Sequence, residues 1–532
     1  MKRRDLLKGF ASLPLLGVFG WGIFRKKSDD EKIKKKILTE LNIKAKSPTQ
    51  TGSMSGDVIR LGIVGAGGRG RHLMRAAGYA DPEWLKKIEE ANNKNSLDKR
   101  LETYLNQESL NIKFTAVCDV FDEHTAIASN TVNATIGEKP KEYRNYRELL
   151  NDPNVDAVII ATPDHWHAPI ATEAIRAGKH VYVEKCMTHK VEETFELRNA
   201  VLENNDVVFQ LGHQHRQTES FLTAMDIIDK NVLGHVSLIE ACTNRNDDGG
   251  AWQYWINDKA NASNVDWKQF LGSAKDIPFN PEHLFRWRKY WAYGTGLSGD
   301  LLPHDYDGVN SVLKMGIPDS VMTSGGIYTH RDNREVPDVM QVAMEYPDFS
   351  TGSSQEKGKE KGMTFLYSAT LGNQHWRPTK MMGHDATLEF GEVLTIYPDH
   401  NSTRYKDMLE KKVIETSSPM YSYDPRFKGV DAVTSATSKY FAQKGLLYTH
   451  RDGRQVDSTH LHIREWINGI RNGQKVSCGI QEGFEEAISA HMATLSYKTG
   501  KRVHWDKDNE KIIIHGMEDA DLDSIIMNPD KV

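Results

Sequence analysis

Between Val155 and Lys185 the chain reads VDAVIIATPDHWHAPIATEAIRAGKHVYVEK. An apolar strand leads through a Thr-Pro turn into an amphipathic helix, a glycine stops that helix, and a second apolar strand delivers Glu184 and Lys185. Strand, helix and strand in this order form a βαβ unit, and such units build parallel sheets. A lysine at the carboxyl end of a buried parallel strand is poorly sited for packing. It is well sited for chemistry, because ligands of open α/β sheets bind in the crevice beyond those strand ends.

The stretch before it repeats the pattern. Ile59 to Val64 is predicted as a strand, Arg69 to Tyr79 as a helix, Phe114 to Val120 as a strand and Tyr143 to Leu150 as a helix, so the opening segment supplies the fourth and fifth strands of one sheet. Asp81 to Asn111 is polar and charged where a short crossover would suffice, and is expected to be a surface helical insertion. The first strand runs into Gly65-Ala66-Gly67-Gly68-Arg69-Gly70 ahead of a helix, the context in which G-x-G-x-x-G binds a dinucleotide. Gly65 makes the tight turn, Gly67 lets backbone approach a pyrophosphate, Gly70 permits close helix packing, and the helix amino terminus stabilises the anion. Asp119 ends the next strand, where an acid accepts hydrogen bonds from the adenosine ribose and repels a 2'-phosphate, favouring NAD(H) over NADP(H). Its distance from Gly65 exceeds the usual spacing of about 20 residues, and the polar insertion accounts for the excess. Thr162 and Pro163 are expected on the nicotinamide side, with His165 and His167 opening the next helix.

After about Val191 the pattern changes. Val236 to Thr243, Val339 to Tyr346, Met363 to Leu371 and Ala386 to Tyr397 read as strands with few helices between them, which predicts a second domain on a mostly antiparallel sheet. Helices are expected over Thr459 to Arg471 and Gln481 to Thr499. Within Tyr293 to Asp307, Asp300 and His304 are four apart, a spacing that puts both on one face of a helix. Oxidation of an alcohol needs a base for the hydroxyl proton, and a histidine near its neutral pKa suits that work. His165/His167, His213/His215 and His460/His462 are pairs on unconnected elements, short of the three or four convergent ligands of a zinc site, so no metal is expected.

The whole chain sets bounds on function. Its 532 residues leave room for two or three domains, and 39% hydrophobic with 27% charged residues is ordinary for a soluble globular protein. A formal net charge of -5 offers no broad basic field for nucleic acid. The exception is the start, where Lys2-Arg3-Arg4-Asp5-Leu6-Leu7-Lys8 precedes an apolar run from Gly9 to Phe24 closed by Arg25-Lys26-Lys27. This resembles a twin-arginine export signal and implies a periplasmic protein. The run is shorter than the roughly 20 residues of a membrane span, and it carries Pro14 and four glycines. With no A-x-A-like site after it, an uncleaved signal would tether the protein to the membrane. Cys118, Cys186, Cys242 and Cys478 are scattered, and no disulfide framework is expected. The expected organisation is signal 1–27, linker 28–56, dinucleotide-binding domain 57–190, substrate and oligomerisation domain 191–510 and polar tail 511–532.

These residues together resemble the Gfo/Idh/MocA oxidoreductases, the glucose-fructose oxidoreductase and inositol dehydrogenase family. The resemblance runs from about Arg60 to Trp505 and rests on G-x-G-x-x-G, A-T-P-x-x-x-H, the E-K of an E-K-P signature, D-x-x-x-H-x-x-D at Asp300, His304 and Asp307, and H-I-R-x-W-x-x-x-I-R-x-G in the late helix. It implies an α/β fold: an N-terminal Rossmann domain with a doubly wound parallel sheet, plus a C-terminal α+β domain with an open, mostly antiparallel sheet that carries the substrate pocket and an oligomer interface. It further implies a homo-oligomer, a tightly bound NAD carried through export, and Gly65, Gly67, Gly68, Arg69, Gly70, Asp119, Thr162, Pro163, His165, His167, Glu184 and Lys185 on the cofactor. Carried over by position, Lys185, Asp300 and His304 form the acid/base group: His304 takes the hydroxyl proton, Asp300 orients that imidazole and Lys185 polarises the reacting oxygen. Cys186 stands where the family has proline, and a small-volume replacement is the expected meaning.

A secondary hydroxyl or ketone of a sugar or glycoside is the expected substrate. Arg286-Trp287-Arg288, Tyr290, Trp291, Tyr293 and His375-Trp376 combine aromatic faces with polar donors that suit sugar rings. His213, His215 and Arg216 follow the strand Val207 to Leu211 and are expected at the cleft, with Arg288, Tyr293 and Asp307. The alternative is a redox-neutral glycoside-cleaving enzyme acting through a transient 3-keto intermediate. Its relatives, the NAD-dependent α-N-acetylgalactosaminidases, look different at the E-K-P site, and Lys185 argues against that subgroup. A non-catalytic sugar-binding protein is the third reading, against which Lys185, Asp300 and His304 speak.

Overall fold

The computed structural model describes residues 32, 35–44, 54–95, 98–247, 250–351, 361–391, 393–424, 448–451 and 454–532. The basic and apolar leader, 1–27, lies outside the described residues, and no helix among the described residues is long and apolar enough to cross a membrane.

Six strands form the first sheet: β1 (Ile59–Val64), β2 (Ile112–Cys118), β3 (Lys141–Tyr143), β4 (Ala157–Ile160), β5 (His180–Val183) and β6 (Phe209–Leu211). They lie in the order β3-β2-β1-β4-β5-β6, and every pairing is parallel. Every residue of β4 is buried, as expected of a strand covered by helices on both faces. The order reverses between β1 and β4, which opens a crevice at their carboxyl ends. Helix α1 (Gly68–Ala76) follows β1 and α2 (His167–Arg176) joins β4 to β5. The polar insertion is helical over Pro82–Lys94 and Arg100–Leu105, and the Asp81 carboxylate caps the first of these by accepting from the Glu83 N–H at 2.9 Å.

Beyond the crevice α3 (Gly296–Asp300) and α4 (Leu302–Leu313) lead into the second domain. Its sheet contains β7 (Val236–Asn244), β8 (Ser320–Gly326), β9 (Val339–Tyr346), β10 (Met363–Thr370), β11 (Thr379–Gly383), β12 (Ala386–Phe390), β13 (Leu394–Pro398) and β14 (Tyr421–Tyr423). β15 (Tyr448–Arg451) and β16 (Arg454–Asp457) make a separate antiparallel pair, and β17 (Val503–Asp506) and β18 (Lys511–Ile514) complete the large sheet. Its order is β14-β13-β12-β11-β7-β10-β9-β8-β17-β18, antiparallel except where β7 and β10 run parallel. β9 buries Met340, Val342, Met344 and Tyr346 at alternate positions, the period-two pattern that identifies its core face.

Several boundaries differ from those read in the sequence. The parallel sheet extends past residue 190 to β6. Ala386 to Tyr397 is a hairpin rather than one strand, with Gly391 at the turn. Helix α5 (Ser458–Asn472) lies late in the chain yet packs Ile463, Trp466 and Ile467 against Leu61, Ile63 and Ala157 of the first sheet. Helix α6 (Ile480–Thr499) packs into the second core through Phe484, Ile488 and Met492. The segment expected as a polar tail supplies β18 and a helix over Leu522–Met527, with Ile512, Ile514, Ile525 and Ile526 buried. Four isoleucines at strand and helix spacings suffice to dock an otherwise polar segment. From the expected linker, Ile37 and Leu41 also join the second core.

Candidate active site

The glycine loop is shaped by contacts that leave no room for side chains. Gly65 has φ of +90°, and a Cβ there would lie 2.6 Å from the Ala161 carbonyl oxygen. A Cβ on Gly70 would lie 2.0 Å from the Gly65 carbonyl oxygen, so α1 can approach the loop only with glycine at that position. Gly67 and Gly68 face open space instead: the nearest atom to a Cβ on Gly67 is 3.7 Å away, and nothing lies within 4 Å of one on Gly68. Backbone N–H groups at a helix start with no side chain over them are a seat for a phosphate. Asp119 closes one end of this seat. Its Oδ2 accepts the Ala66 N–H at 2.7 Å and its Oδ1 accepts the Phe121 N–H at 2.9 Å. Burial pushes the Asp119 carboxyl up, but His124 beside it and these N–H groups outweigh burial and hold it below its ordinary value.

A cavity of about 420 Å³ runs from this loop to the second domain. Gly65, Gly67, Gly68, Arg69, Asp119, Thr162, Pro163, His167, Glu184 and Lys185 line it from the first domain, and Arg288, Asp300 and His304 from the second. Gly70 lies beneath the loop. Arg69 donates to Glu184 at 2.8 Å and to Gln214 at 3.2 Å, which fixes a charged pair across the seat. His167 holds two turns together, with Nε2 2.8 Å from the Thr162 carbonyl oxygen and Nδ1 2.7 Å from that of Cys186. The Thr162 hydroxyl is buried and has no hydrogen-bond partner among the described residues. An open glycine seat, a carboxylate at the end of β2 and an orphaned hydroxyl along one cleft fit a nicotinamide dinucleotide.

Lys185, 115 residues from Asp300 in sequence, meets it in space: Nζ donates to Asp300 Oδ1 and to the Asp300 carbonyl oxygen, both at 2.6 Å. Arg288 Nε donates to the same Oδ1 at 3.4 Å. Burial alone would raise the Asp300 carboxyl, but Lys185 and then Arg288 hold it far below the carboxylate range. The expectation that Asp300 orients the His304 imidazole is therefore corrected. The helix breaks at Leu301, so Asp300 ends α3 while His304 lies with Pro303 in the first turn of α4. The Asp300 carboxylate is taken by the two cations. Burial, and next the Lys185 cation, lower the His304 pKa well below 6.5, so its imidazole is neutral at neutral pH and able to accept a proton.

Other expected site residues lie behind the cavity wall. His165 Nε2 lies 2.7 Å from the Phe270 carbonyl oxygen, and burial lowers its pKa to about 3. Tyr293 packs against Phe270 and places its hydroxyl 3.1 Å from His283 Nδ1. Arg216 is spent on Asp307, with Nη2 at 2.6 Å and Nε at 2.8 Å from Oδ1. His213 sits between carboxylates, pairing with Glu486 through Nε2 and lying 3.7 Å from Asp307 through Nδ1. His215 is buried with its ring 5.6 Å from that of His304. For His165, His213, His215 and Arg216 the cause is that polar residues after a strand point either into the cleft or into the domain junction, and spacing does not distinguish the two; Asp307 lies within α4 and Tyr293 in a turn, and both face the packed interior.

Some lining residues were not read from the sequence. Arg245, Gln214, Tyr254 and His124, in the first turn of the helix after β2, join the cavity wall; the end of β7 was the signal for Arg245, since residues just past a strand end open onto a cleft. Cys186, joined to Lys185 by a cis peptide bond, is buried with Sγ 3.2 Å from the Thr295 hydroxyl. Burial pushes its thiol far above the ordinary value, so it is a packed small side chain and no nucleophile. Asp164 and His167 lie close to it, but Asp164 is committed to the Thr295 N–H and hydroxyl.

Comparison with known proteins agrees with this architecture. The family model described as oxidoreductase family, NAD-binding Rossmann fold, matches residues 59–213, and that for the oxidoreductase family C-terminal α/β domain matches 261–504. Levoglucosan dehydrogenase of Pseudarthrobacter phenanthrenivorans is 28% identical over 192 residues, 34% of this chain and 42% of that protein. Glycosyl hydrolase family 109 protein 2 of Shewanella sp. (strain ANA-3) is 42% identical over 89 residues, 16% of this chain and 20% of that protein. The chain thus spans less than half the length of these curated relatives. A solved structure of levoglucosan dehydrogenase in complex with NADH superposes with a TM-score of 0.54 at 15% identity, covering 86% of this chain and 99% of that one. Its likeness is one of fold. With the two models of a single family matching both domains, 59–213 and 261–504, the chain belongs to the Gfo/Idh/MocA oxidoreductases.

Proposed function

We propose that this protein oxidises a secondary hydroxyl of a sugar or glycoside with NAD as its cofactor. The observation that carries the reading is the convergence of Lys185, Asp300 and a neutral His304 on the cavity that also holds the glycine loop. Asp300 fixes Lys185 by two hydrogen bonds, which leaves one of its three N–H donors to polarise the reacting oxygen. His304 takes the hydroxyl proton as the carbonyl forms. Bound nicotinamide would supply the acceptor for the hydride. Arg69, Glu184 and Gln214 keep the loop in place. The choice of NAD over NADP rests on Asp119, a carboxylate held ionised at the ribose end. A sugar substrate is supported by the similarity to levoglucosan dehydrogenase.

The local similarity to a glycosyl hydrolase family 109 protein favours a second reading. In it the oxidation is transient: a ketone at C3 acidifies the C2 proton, the aglycone leaves by elimination to a C1–C2 alkene, water adds at C1 as a proton returns to C2, and the hydride then returns to C3. The Lys185–Asp300 pair favours the first reading. The deciding experiment is to purify the full chain, identify any nucleotide that accompanies it, and incubate it with glycosides while following nicotinamide absorbance and released aglycone. Net NADH or oxidised sugar supports the dehydrogenase, aglycone without net redox change supports the second reading, and absence of any NAD affinity defeats both.

Export by the twin-arginine route, a periplasmic site of action and a homo-oligomer belong to the same proposal and rest on the sequence of residues 1–27 and on the family resemblance. Replacing Arg3 and Arg4 together by Lys should hold the protein in the cytoplasm; unchanged fractionation would refute export by that route.

A further inference from the structure

The end of the cavity away from the glycine loop is rich in cations. Lys185 and Arg288 share a single carboxylate oxygen, Asp300 Oδ1, and Arg245 lies close enough for its charge to act on the same group. Asp164, the other acid on this wall, is bound by the Thr295 N–H and hydroxyl and is itself felt by Arg288. Three cations therefore face two carboxylates at this end of the cavity, Lys185 and Arg288 within it and Arg245 at its exposed rim, and a cation held away from water is costly unless a partner compensates it.

The two guanidinium groups also have donors to spare. Arg288 spends only Nε, and weakly, on Asp300, which leaves both of its terminal nitrogens unassigned among the described residues. Its guanidinium carbon lies 4.1 Å from the Trp287 ring centroid and 5.8 Å from that of Tyr254, so the fork is held between aromatic faces before any ligand arrives. The Arg245 side chain makes no hydrogen bond or ion pair among the described residues and lines the same wall. The cofactor seat has its own groups for phosphate, the open backbone at Gly67 and Gly68, so the arginines of the second domain are not required there. A planar fork stacked on aromatic rings matches an oxyanion in bidentate geometry, and the same rings suit the apolar face of a pyranose.

We infer that the substrate is an acidic sugar, a uronic acid or a glycoside bearing another oxyanion, whose anionic group is held by Arg245 and Arg288 while its hydroxyl reaches Lys185 and His304. The inference rests on the oxidoreductase reading and narrows its substrate class.

Calorimetric titration of the nucleotide-loaded full chain tests it with three probes: methyl glucuronide, methyl glucoside 6-sulfate and neutral methyl glucoside. One of the two anionic probes is expected to bind about tenfold or more tightly than the neutral one, and which of them does so identifies carboxylate or sulfate as the group recognised. In Arg245→Gln that ratio should collapse toward one, and in Arg245→Lys it should persist in part. Arg245 is exposed, so these variants do not put folding at risk. Equal or tighter binding of methyl glucoside, or a ratio unmoved by Arg245→Gln, overturns the inference. Turnover is read separately: reduction of nicotinamide by the neutral probe alone leaves the oxidoreductase reading intact while this one falls. If no probe is oxidised, the oxidoreductase reading fails, and the binding ratio still decides whether the site takes an anion.

Discussion

Lys185 and His304 act on each other through charge as well as through shared access to the cavity. Burial lowers the His304 pKa, and the Lys185 cation lowers it further. A base must be neutral to work, so a folded pKa below 6.5 keeps it competent into acid, and kcat/KM should hold level as pH falls past 6.5 instead of declining there. Lys185→Ala should cost on the order of 10²- to 10⁴-fold in kcat/KM. It also removes a neighbouring cation, so the acid limb of the remaining activity should move to higher pH. An unmoved limb would mean that the two groups are not coupled, and full turnover in Lys185→Ala would revive the reading of a non-catalytic sugar-binding protein. Cys186 carries the opposite expectation. Its buried thiol, with a pKa pushed up, should resist alkylation until the protein unfolds, as read by mass spectrometry after brief iodoacetamide treatment. At this scale Lys185, Asp300 and His304 were legible because a charged residue at a strand end or in an apolar helix is conspicuous. The pairing of Asp300 with Lys185 rather than His304 was not, since nothing in the spacing announces a helix break at Leu301. Nor did it show that Arg216, His213, Asp307 and Glu486 neutralise one another at the domain junction.

Elements impose their own tests, and the turn from β1 to α1 offers two glycines with opposite requirements. Gly70→Ala places a methyl group 2.0 Å from a backbone oxygen, so helix and loop must separate at a cost of about 2–3 kcal/mol or more. Thermal melting should show that loss, and nucleotide affinity should fall with it. Gly68→Ala meets nothing within 4 Å and lies in the first turn of a helix, where alanine is about 0.5–1 kcal/mol better than glycine. Its melting temperature should hold or rise while NAD affinity falls, because the new methyl group occupies the phosphate seat. Equal behaviour of the two variants would show that the loop is not read by backbone approach. The long elements here were plain in the sequence because apolar runs and the glycine signature fall at the right period. Short ones were not. β3 has three residues, two of them exposed, and its only apolar anchor is Tyr143; a strand so brief is defined by its neighbour β2 more than by its own composition.

Across the whole molecule, the chain returns late to its first domain. Helix α5 puts Trp466 and Ile467 on the first sheet, and His462 Nδ1 lies 3.1 Å from the Tyr182 hydroxyl, so the core of the first domain is incomplete without residues near 460. A linear reading assigned that helix to the second domain because amphipathic periodicity reveals a buried face and not the sheet it meets. The junction so formed is lined with buried histidines. Burial lowers the pKa of His189, His460 and His462, and takes His165 and His491 to about 3. Each binds a proton more readily in the unfolded chain, so its contribution is complete above the unfolded value of 6.5 and is lost as pH falls from there toward about 3. His213, raised by Asp307 and Glu486 against the effect of burial, has the opposite sign and a separate window: its contribution is complete below 6.5 and fades as pH rises through its folded pKa, so it adds no slope below 6.5. Each uncompensated histidine contributes a slope of about 1.4 kcal/mol per pH unit inside the window. Denaturant unfolding followed by tryptophan fluorescence should therefore show stability dropping between about pH 6.5 and about pH 5, less steeply than the five histidines alone would give, because burial raises Glu193 to about 7 and Asp305 to about 6 and these carboxyls take up protons more readily in the folded chain. His491→Gln, which can keep a hydrogen bond to Thr188, should reduce that slope by about one histidine's share. A stability that stays level or rises on acidification would mean that these imidazoles are not held neutral, and with them would fall the account of His304 as a base poised by burial.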